Sequence, residues 1–297
     1  MSENLASLSF ESWLGEVRTK FTGDAPDLLP LFETYAAEAI FGRRYIAADL
    51  AQLQAAAQVL EVGAGSLLLS CQLVREGFTV TALEPIGVGF SHFDRMRQVV
   101  MELAEASECL PRIVDSTAEA FSEAGRFAYA FSVNVMEHVN DVASVMRNIG
   151  RSLDDGASYR FTCANYLFPY EPHFNIPTLF SKKLTEKVMH RRIFNAGNMP
   201  DPTGTWKSLN WITVAQVASI ARGLPGFRVE FNSKLLVETA ERMVFDTEFA
   251  HRRSAAVRGL FGVLVRSRLH RALRFVPPVL QPLMDCRLRR AAHRESR

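Results

Sequence analysis

Glu61, Gly63 and Gly65 close an apolar run in VLEVGAGS (59–66), and Glu84 closes the next such run in VTALEP (80–85). Glycine at 63 and 65 lets the backbone turn sharply with no Cβ in the way, so a ligand can come close to the main chain. A carboxylate ending the second strand can accept both hydroxyls of a ribose. Glu61, two residues ahead of the first glycine, is poorly placed beside a pyrophosphate and suits a ligand carrying an ammonium group. In the dinucleotide pattern G-x-G-x-x-G a third small residue would stand at Leu68, where close helix-to-strand packing needs it. The residues therefore favour a nucleoside bearing a charged amino-acid group over a dinucleotide.

Such residues need an alternating α/β frame to hold them. Strands are expected near 58–62, 79–83, 112–114, 127–132 and 158–163, and helices near 67–76, 90–106 and 139–153. That alternation predicts an α/β fold with a doubly wound, mostly parallel sheet whose ligand lies at the carboxyl ends of the strands, where Gly63, Glu84, Asp115 and Asn134 stand. Residues 9–21 and 26–57 read as helices, punctuated by Pro30 and Gly42. The alternation is interrupted over 164–210, before a helix at 213–222 and a strand at 227–232. A segment this long inside an α/β core is usually functional, and it is read as a lid or acceptor pocket, with a small packing subdomain as the alternative. The resulting division is a helical cap at 1–57, a core at 58–250 including that insertion, and a basic extension at 251–297.

In this order the motifs resemble the class I S-adenosylmethionine-dependent methyltransferases, whose first motif is an acidic residue followed by spaced glycines. Glu61-Val62-Gly63-Ala64-Gly65 is similar to that motif, and the resemblance runs on through Glu84, STAE at 116–119 and SVNVMEHV at 132–139, covering roughly residues 55–165. Leu67 and Ala128 depart from it, standing where the family often has Gly and Asp. The resemblance implies a Rossmann-like core and S-adenosyl-L-methionine as cofactor. It places the amino-acid moiety on Gly63, Ala64 and Gly65 with help from Glu61, and the ribose on Glu84. Adenine would lie along Asp115, Thr117, Ala118 and Glu119, with Asp115 or Thr117 facing its amino group. The backbone of Asn134 would complete the methionyl pocket.

The expected activity is methyl transfer to a small-molecule, saccharide or lipid-linked acceptor, at oxygen. An alcohol is a poor nucleophile until its proton leaves, so a base is useful. His173 in YEPHF, supported by Glu171, is preferred over His138 for that role; a carboxylate acceptor would need no base. The alternatives are a non-catalytic scaffold of the same fold, which the retained Glu61, Gly63, Gly65 and Glu84 argue against, and a nicotinamide dehydrogenase, which Leu68 argues against. A nucleic-acid substrate lacks support, since no N-P-P-Y-type motif follows strand four and no aromatic-interleaved basic patch marks the core.

With 297 residues and 48% hydrophobic content the chain can bury a full core in one or two domains. No basic stretch leading into an apolar one follows Glu3 and no apolar run approaches spanning length, so a cytoplasmic protein is expected. Cys71, Cys109, Cys163 and Cys286 are scattered with no C-x-x-C, so neither a disulfide framework nor a metal site is expected. Charge is divided unevenly: residues 251–297 hold 12 Arg and no Lys against Asp285 and Glu295, while the rest of the chain is net acidic. This tail is expected to contact an anionic membrane or a partner's acidic face, with pairing onto the acidic core as the alternative.

Overall fold

Apolar runs of β-branched and aromatic residues form the central strands, buried on both faces as parallel strands must be. In the computed structural model, which describes residues 3–85, 91–197, 201–245 and 255–292, β1 (Gln58–Val62) pairs with β2 (Thr79–Leu83) and β4 (Phe127–Val133). On either side β3 (Arg112–Val114) joins β2 and β5 (Leu153–Ala164) joins β4, all in parallel. With β6 (Phe227–Phe231) and β7 (Leu283–Arg290) the sheet has seven strands in the order β3-β2-β1-β4-β5-β7-β6, β7 running antiparallel to both neighbours. Chain order reverses between β1 and β4, and it is in the crevice beyond the carboxyl ends of strands at such a reversal that open α/β sheets bind ligands.

Helices cover both faces. α1 (Glu3–Asp24), α2 (Leu29–Leu50), α3 (Leu68–Arg75) and α4 (Ser91–Ala106) pack on one side over a core that includes Trp13, Phe21, Phe32, Ile46, Leu68 and Met96. α5 (Val142–Ser152), α6 (Lys182–Phe194), α7 (Pro202–Ser208) and α8 (Val214–Arg222) lie over the second core. α5 shows why such a helix forms: Val142, Val145, Met146 and Ile149 recur at helical spacing and are buried, and the Asp141 side chain caps the helix by accepting from the Ala143 and Ser144 amides. α9 (Leu235–Phe245), α10 (Ala255–Arg266) and two 3-10 turns at 269–275 and 278–280 lead into β7.

Three expectations need correction. α2 stops at Leu50 instead of reaching 57, and the chain then turns through Ala56 at φ 58°. β5 begins at Leu153, earlier than the expected 158. The boundary at 250 cuts a strand out of the sheet, because β7 from the basic tail lies between β5 and β6 and bonds to both. Position 90, the expected start of a helix, and residues 246–254 and 293–297 of the core end and tail lie outside the described residues.

β7 is held by a buried charge network as well as by its ladder. Arg160 of β5 donates to both carboxylate oxygens of Asp285 at 2.9 and 2.7 Å and to Asp49 Oδ2 at 2.8 Å. Arg287 donates to Asp49 Oδ1. Tyr45 and Tyr129 add hydroxyl bonds to Asp285 and Asp49 at 2.6 and 3.1 Å, and Asn232 donates to Asp285 at 3.0 Å. Every carboxylate oxygen in the network thus has a donor, the condition under which buried charge is tolerated.

Candidate functional site

The turn after β1 is shaped by its two glycines. Gly63 and Gly65 have φ of 75° and 49°, the left-handed region that a side chain disfavours, and a Cβ on Gly63 would overlap the methyls of Val135 in the turn after β4. The two turns on either side of the strand-order reversal are therefore in contact. The Gly63 and Ala64 amides donate to Leu83 O, and the Gly65 amide donates to Glu84 Oε2 at 3.0 Å, so the carboxylate that ends β2 leans over the glycine turn.

Glu61 is buried, and its one donor among the described residues is the Ser70 hydroxyl of α3. Burial pushes its carboxyl up to about 8, the Ser70 bond opposing and the charge of Glu84 adding to the effect. Glu84 is also raised, first by burial, with the Gly65 amide and the Arg97 charge working against it. A cationic group bound here would relieve both carboxylates, and a neutral adenosine with an ammonium-bearing tail is a chemical fit to a glycine cradle lined this way.

Of the residues expected along the adenine, Asp115 is exposed just past β3, Thr117 O accepts from the Ala120 and Phe121 amides, and Ala118 is buried. The Glu119 carboxylate is turned away to the loop before α5, where it accepts from the Asn140 amide at 2.7 Å. Asn134 is exposed at φ 55°, with its amide on Thr162 O.

Beyond β4 and β5 a second group of polar side chains converges. His173 and His138 lie edge to face with ring centroids 5.3 Å apart. The Nδ1 of His173 bonds Glu171 Oε1 at 2.6 Å, and Glu171 Oε2 accepts from the Phe174 amide at 2.7 Å. The Nδ1 of His138 bonds Ser208 Oγ at 2.8 Å, and that hydroxyl donates onward to Thr205 O. Glu137, adjacent to His138, is 1% exposed with Oε2 lacking a hydrogen-bond partner. One donor atom from each of Glu137, His138 and His173 falls within 4.8 Å of the others.

Burial holds His138 down at about 4, helped by the charge of His173. Burial also opposes protonation of His173, but its bond to Glu171 and the charges of Glu171, Glu137 and Glu38 outweigh this and raise it overall. Glu38 belongs to α2, so the N-terminal helices reach the electrostatics of this side of the site.

The insertion supplies the walls. Tyr166 stacks on Trp211 at 4.4 Å, Trp206 meets Trp211 edge to face at 5.6 Å, and Trp206 is anchored through Nε1 on Glu186 at 2.8 Å. Asn210 braces the turn that carries Glu137 and His138, donating through Nδ2 to Met136 O and Val139 O at 2.8 and 2.7 Å. Trp211 Nε1 is buried without a partner. Sequence reasoning named Glu171, His138 and His173 but gave no role to Glu137, Ser208, Asn210 or Trp211. Glu137 stood inside the quoted MEHV motif, and its adjacency to His138 was the available signal.

A family profile described as a methyltransferase domain matches residues 35–191. Two uncharacterized proteins of Mycobacterium tuberculosis, Rv1509 and MT1557, are each 45% identical over 285 residues, covering 96% of this chain and 96% of their own. Among solved structures, phosphoethanolamine N-methyltransferase 2 of Haemonchus contortus with S-adenosyl-L-methionine is 16% identical at a TM-score of 0.47, over 86% of this chain and 53% of that one. The chain thus spans about half the length of that enzyme. Geranyl diphosphate C-methyltransferase of Streptomyces coelicolor A3(2) is 10% identical at a TM-score of 0.47, over 88% of this chain and 77% of that one.

Proposed function

Because the chain belongs to the class I S-adenosylmethionine-dependent methyltransferase family, we propose that it methylates an oxygen of a small-molecule, saccharide or lipid-linked acceptor held between the two halves of this crevice. The observation that carries the reading is the placement of a glycine cradle with buried acids past β1 and β2, and of a His-Glu cluster walled by aromatics past β4 and β5.

Gly63, Ala64 and Gly65 take the amino-acid moiety, with Glu61 compensating its ammonium, and Glu84 takes the ribose hydroxyls. Asp115, Thr117 and Ala118 border the adenine, and the Asn134 backbone closes the methionyl side. When bound, S-adenosyl-L-methionine supplies a methyl group on a sulfonium, already reactive toward a well-aligned nucleophile. The chain's task is then to align the acceptor, exclude water and remove its proton. Glu171 fixes the ring of His173 by accepting from Nδ1, which leaves Nε2 to face the acceptor hydroxyl and receive its proton as the oxygen is alkylated.

The tail supports a second element of the reading, contact with an anionic membrane surface. Residues 255–281 carry five arginines and no acid. Leu260, Val263, Leu269 and Phe275 are 59–75% exposed there, whereas Phe261 and Val265 are half-buried. Apolar side chains interleaved with arginine fit an interface of acidic headgroups.

The acceptor-side assignment is tested with His173→Ala. Turnover at saturating substrate should fall by about 10² or more with cofactor affinity unchanged. Normal turnover across pH would assign His173 to loop structure and the acceptor to a group already ionised.

A further inference from the structure

We infer that Glu137, His138 and His173 form a binding site for one divalent transition-metal ion of the zinc class, with an open coordination position toward the acceptor. The hydrogen-bond directions set this up. Ser208 Oγ spends its proton on Thr205 O, so it accepts from His138 Nδ1; ionised Glu171 can only accept, so it takes the proton of His173 Nδ1. With Nδ1 engaged on both rings, Nε2 is the nitrogen left on each to ligate, and the third member, Glu137, offers Oε2, a buried oxygen with no hydrogen-bond partner. One ligand atom from each of the three residues thus lies within 4.8 Å of the others, around a carboxylate oxygen that has no donor among the described residues.

The charge balance agrees. Glu137 and Glu171 are 1% and 0% exposed, and no lysine or arginine among the described residues forms a salt bridge with either, so positive charge at the cluster has no side-chain source but the histidines. A dication would complete it. Two imidazoles and one carboxylate are a donor set of open catalytic zinc sites, and a carboxylate behind a ligating histidine, as Glu171 is behind His173, orients the ring and raises its basicity. Ligands about 2.0–2.2 Å from a tetrahedral ion lie about 3.4 Å apart. The present separations, all within 4.8 Å, therefore need to close by at most about 1.4 Å, within reach of side-chain rotation. Asn210 and Ser208 hold the turn and ring that must not move.

Binding stands independently of the methyl-transfer reading, whereas any use of the ion to polarise the acceptor oxygen, in place of His173 acting as base, rests on that reading. The test uses the full chain after chelator treatment, titrated with Co2+ in the absence of cofactor and acceptor. We expect one Co2+ per chain with visible d–d absorption, displaced by Zn2+. Glu137→Gln and His173→Ala should each weaken Co2+ binding by about 100-fold or more, and Glu171→Gln, a positioning change, by about 10-fold, with S-adenosylhomocysteine affinity unchanged in all three as proof of folding. Failure of the unsubstituted chain to take up Co2+ or Zn2+ at neutral pH overturns the site, as does equal affinity in the variants. If the ion binds but turnover is the same with and without chelator, the metal site stands and its catalytic use falls.

Discussion

Asp49 and Asp285 on one side, and Glu61, Glu137 and Glu171 on the other, are buried to the same degree, 6% and 3% exposed against 8%, 1% and 0%. What differs is what surrounds them. The aspartates sit among Arg160, Arg287 and two tyrosine hydroxyls, while the glutamates have, among the described residues, hydroxyl, amide and imidazole partners and no arginine or lysine. A desolvated carboxylate that lacks a cation costs the fold stability unless it keeps its proton, and burial pushes the Glu61 and Glu137 carboxyls up to about 8 and about 7. Burial alone does not separate architecture from site; compensation does.

The largest effect that could break this contrast is on stability. Asp285→Ala leaves Arg160 and Arg287 sharing the one carboxylate of Asp49 and should lower unfolding free energy by about 3–5 kcal/mol in chemical denaturation. Glu137→Gln in metal-free protein should cost nothing or stabilise. Equal losses from the two would make Glu137 part of the architecture.

Next comes pH. Folding raises the Glu61 carboxyl from an ordinary 4.5 to about 8, so between those values the folded state keeps a proton that the unfolded chain has lost. The sign follows: stability without cofactor is full below about pH 4.5 and falls as pH rises toward about 8, by a few kcal/mol in all. Urea denaturation across this range should show the slope in the unsubstituted chain and a flatter profile in Glu61→Gln. Superimposable profiles would show that Glu61 is compensated after all.

A smaller change sharpens the cofactor side. Glu84→Ala removes two charge-assisted bonds to the ribose and should weaken S-adenosyl-L-methionine by about 2–4 kcal/mol in calorimetry. Unchanged affinity would put the ribose elsewhere. The smallest effects belong to the tail, where truncation is uninformative because it deletes β7. Replacing Arg268, Arg271 and Arg274 with Gln should instead reduce sedimentation with anionic vesicles at low salt by about 1 kcal/mol per residue, with the melting temperature unchanged. No binding by the unsubstituted chain would leave the tail without a membrane role.

The tail shows where sequence reading divides. Of its two expected fates, the structure shows pairing onto the core for Arg287 and Arg290, with Asp49 and Asp155; the segment before β7 carries its arginines beside exposed apolar side chains. β7 was illegible because LMDCRLRR has no β-branched residue and reads as basic tail, while its buried Asp285 makes sense only beside Arg160, 125 residues earlier. β1 to β4 were legible because short apolar runs, ended by Gly63 after β1 and by Glu84, Asp115 and Asn134 after the others, are local signals. The insertion was legible as an interruption with a basic helix around Leu184 to Arg192, which is α6, but α7 and the aromatic wall were not, since Tyr166, Trp206 and Trp211 meet only across turns.

By itself the sequence determined the alternation of elements, the glycine turn at 63–65 and the acids at 61 and 84, because conformational freedom and hydrophobic period are properties of neighbours along the chain. Only the tertiary structure decided which buried carboxylates are neutralised by arginine and which are not, and which histidine nitrogens are engaged by Ser208 and Glu171. Desolvation and Coulomb attraction act through space: the arginines that settle them for Asp49 and Asp285, and the approach of His173 to Glu137 and His138, join elements far apart in the chain.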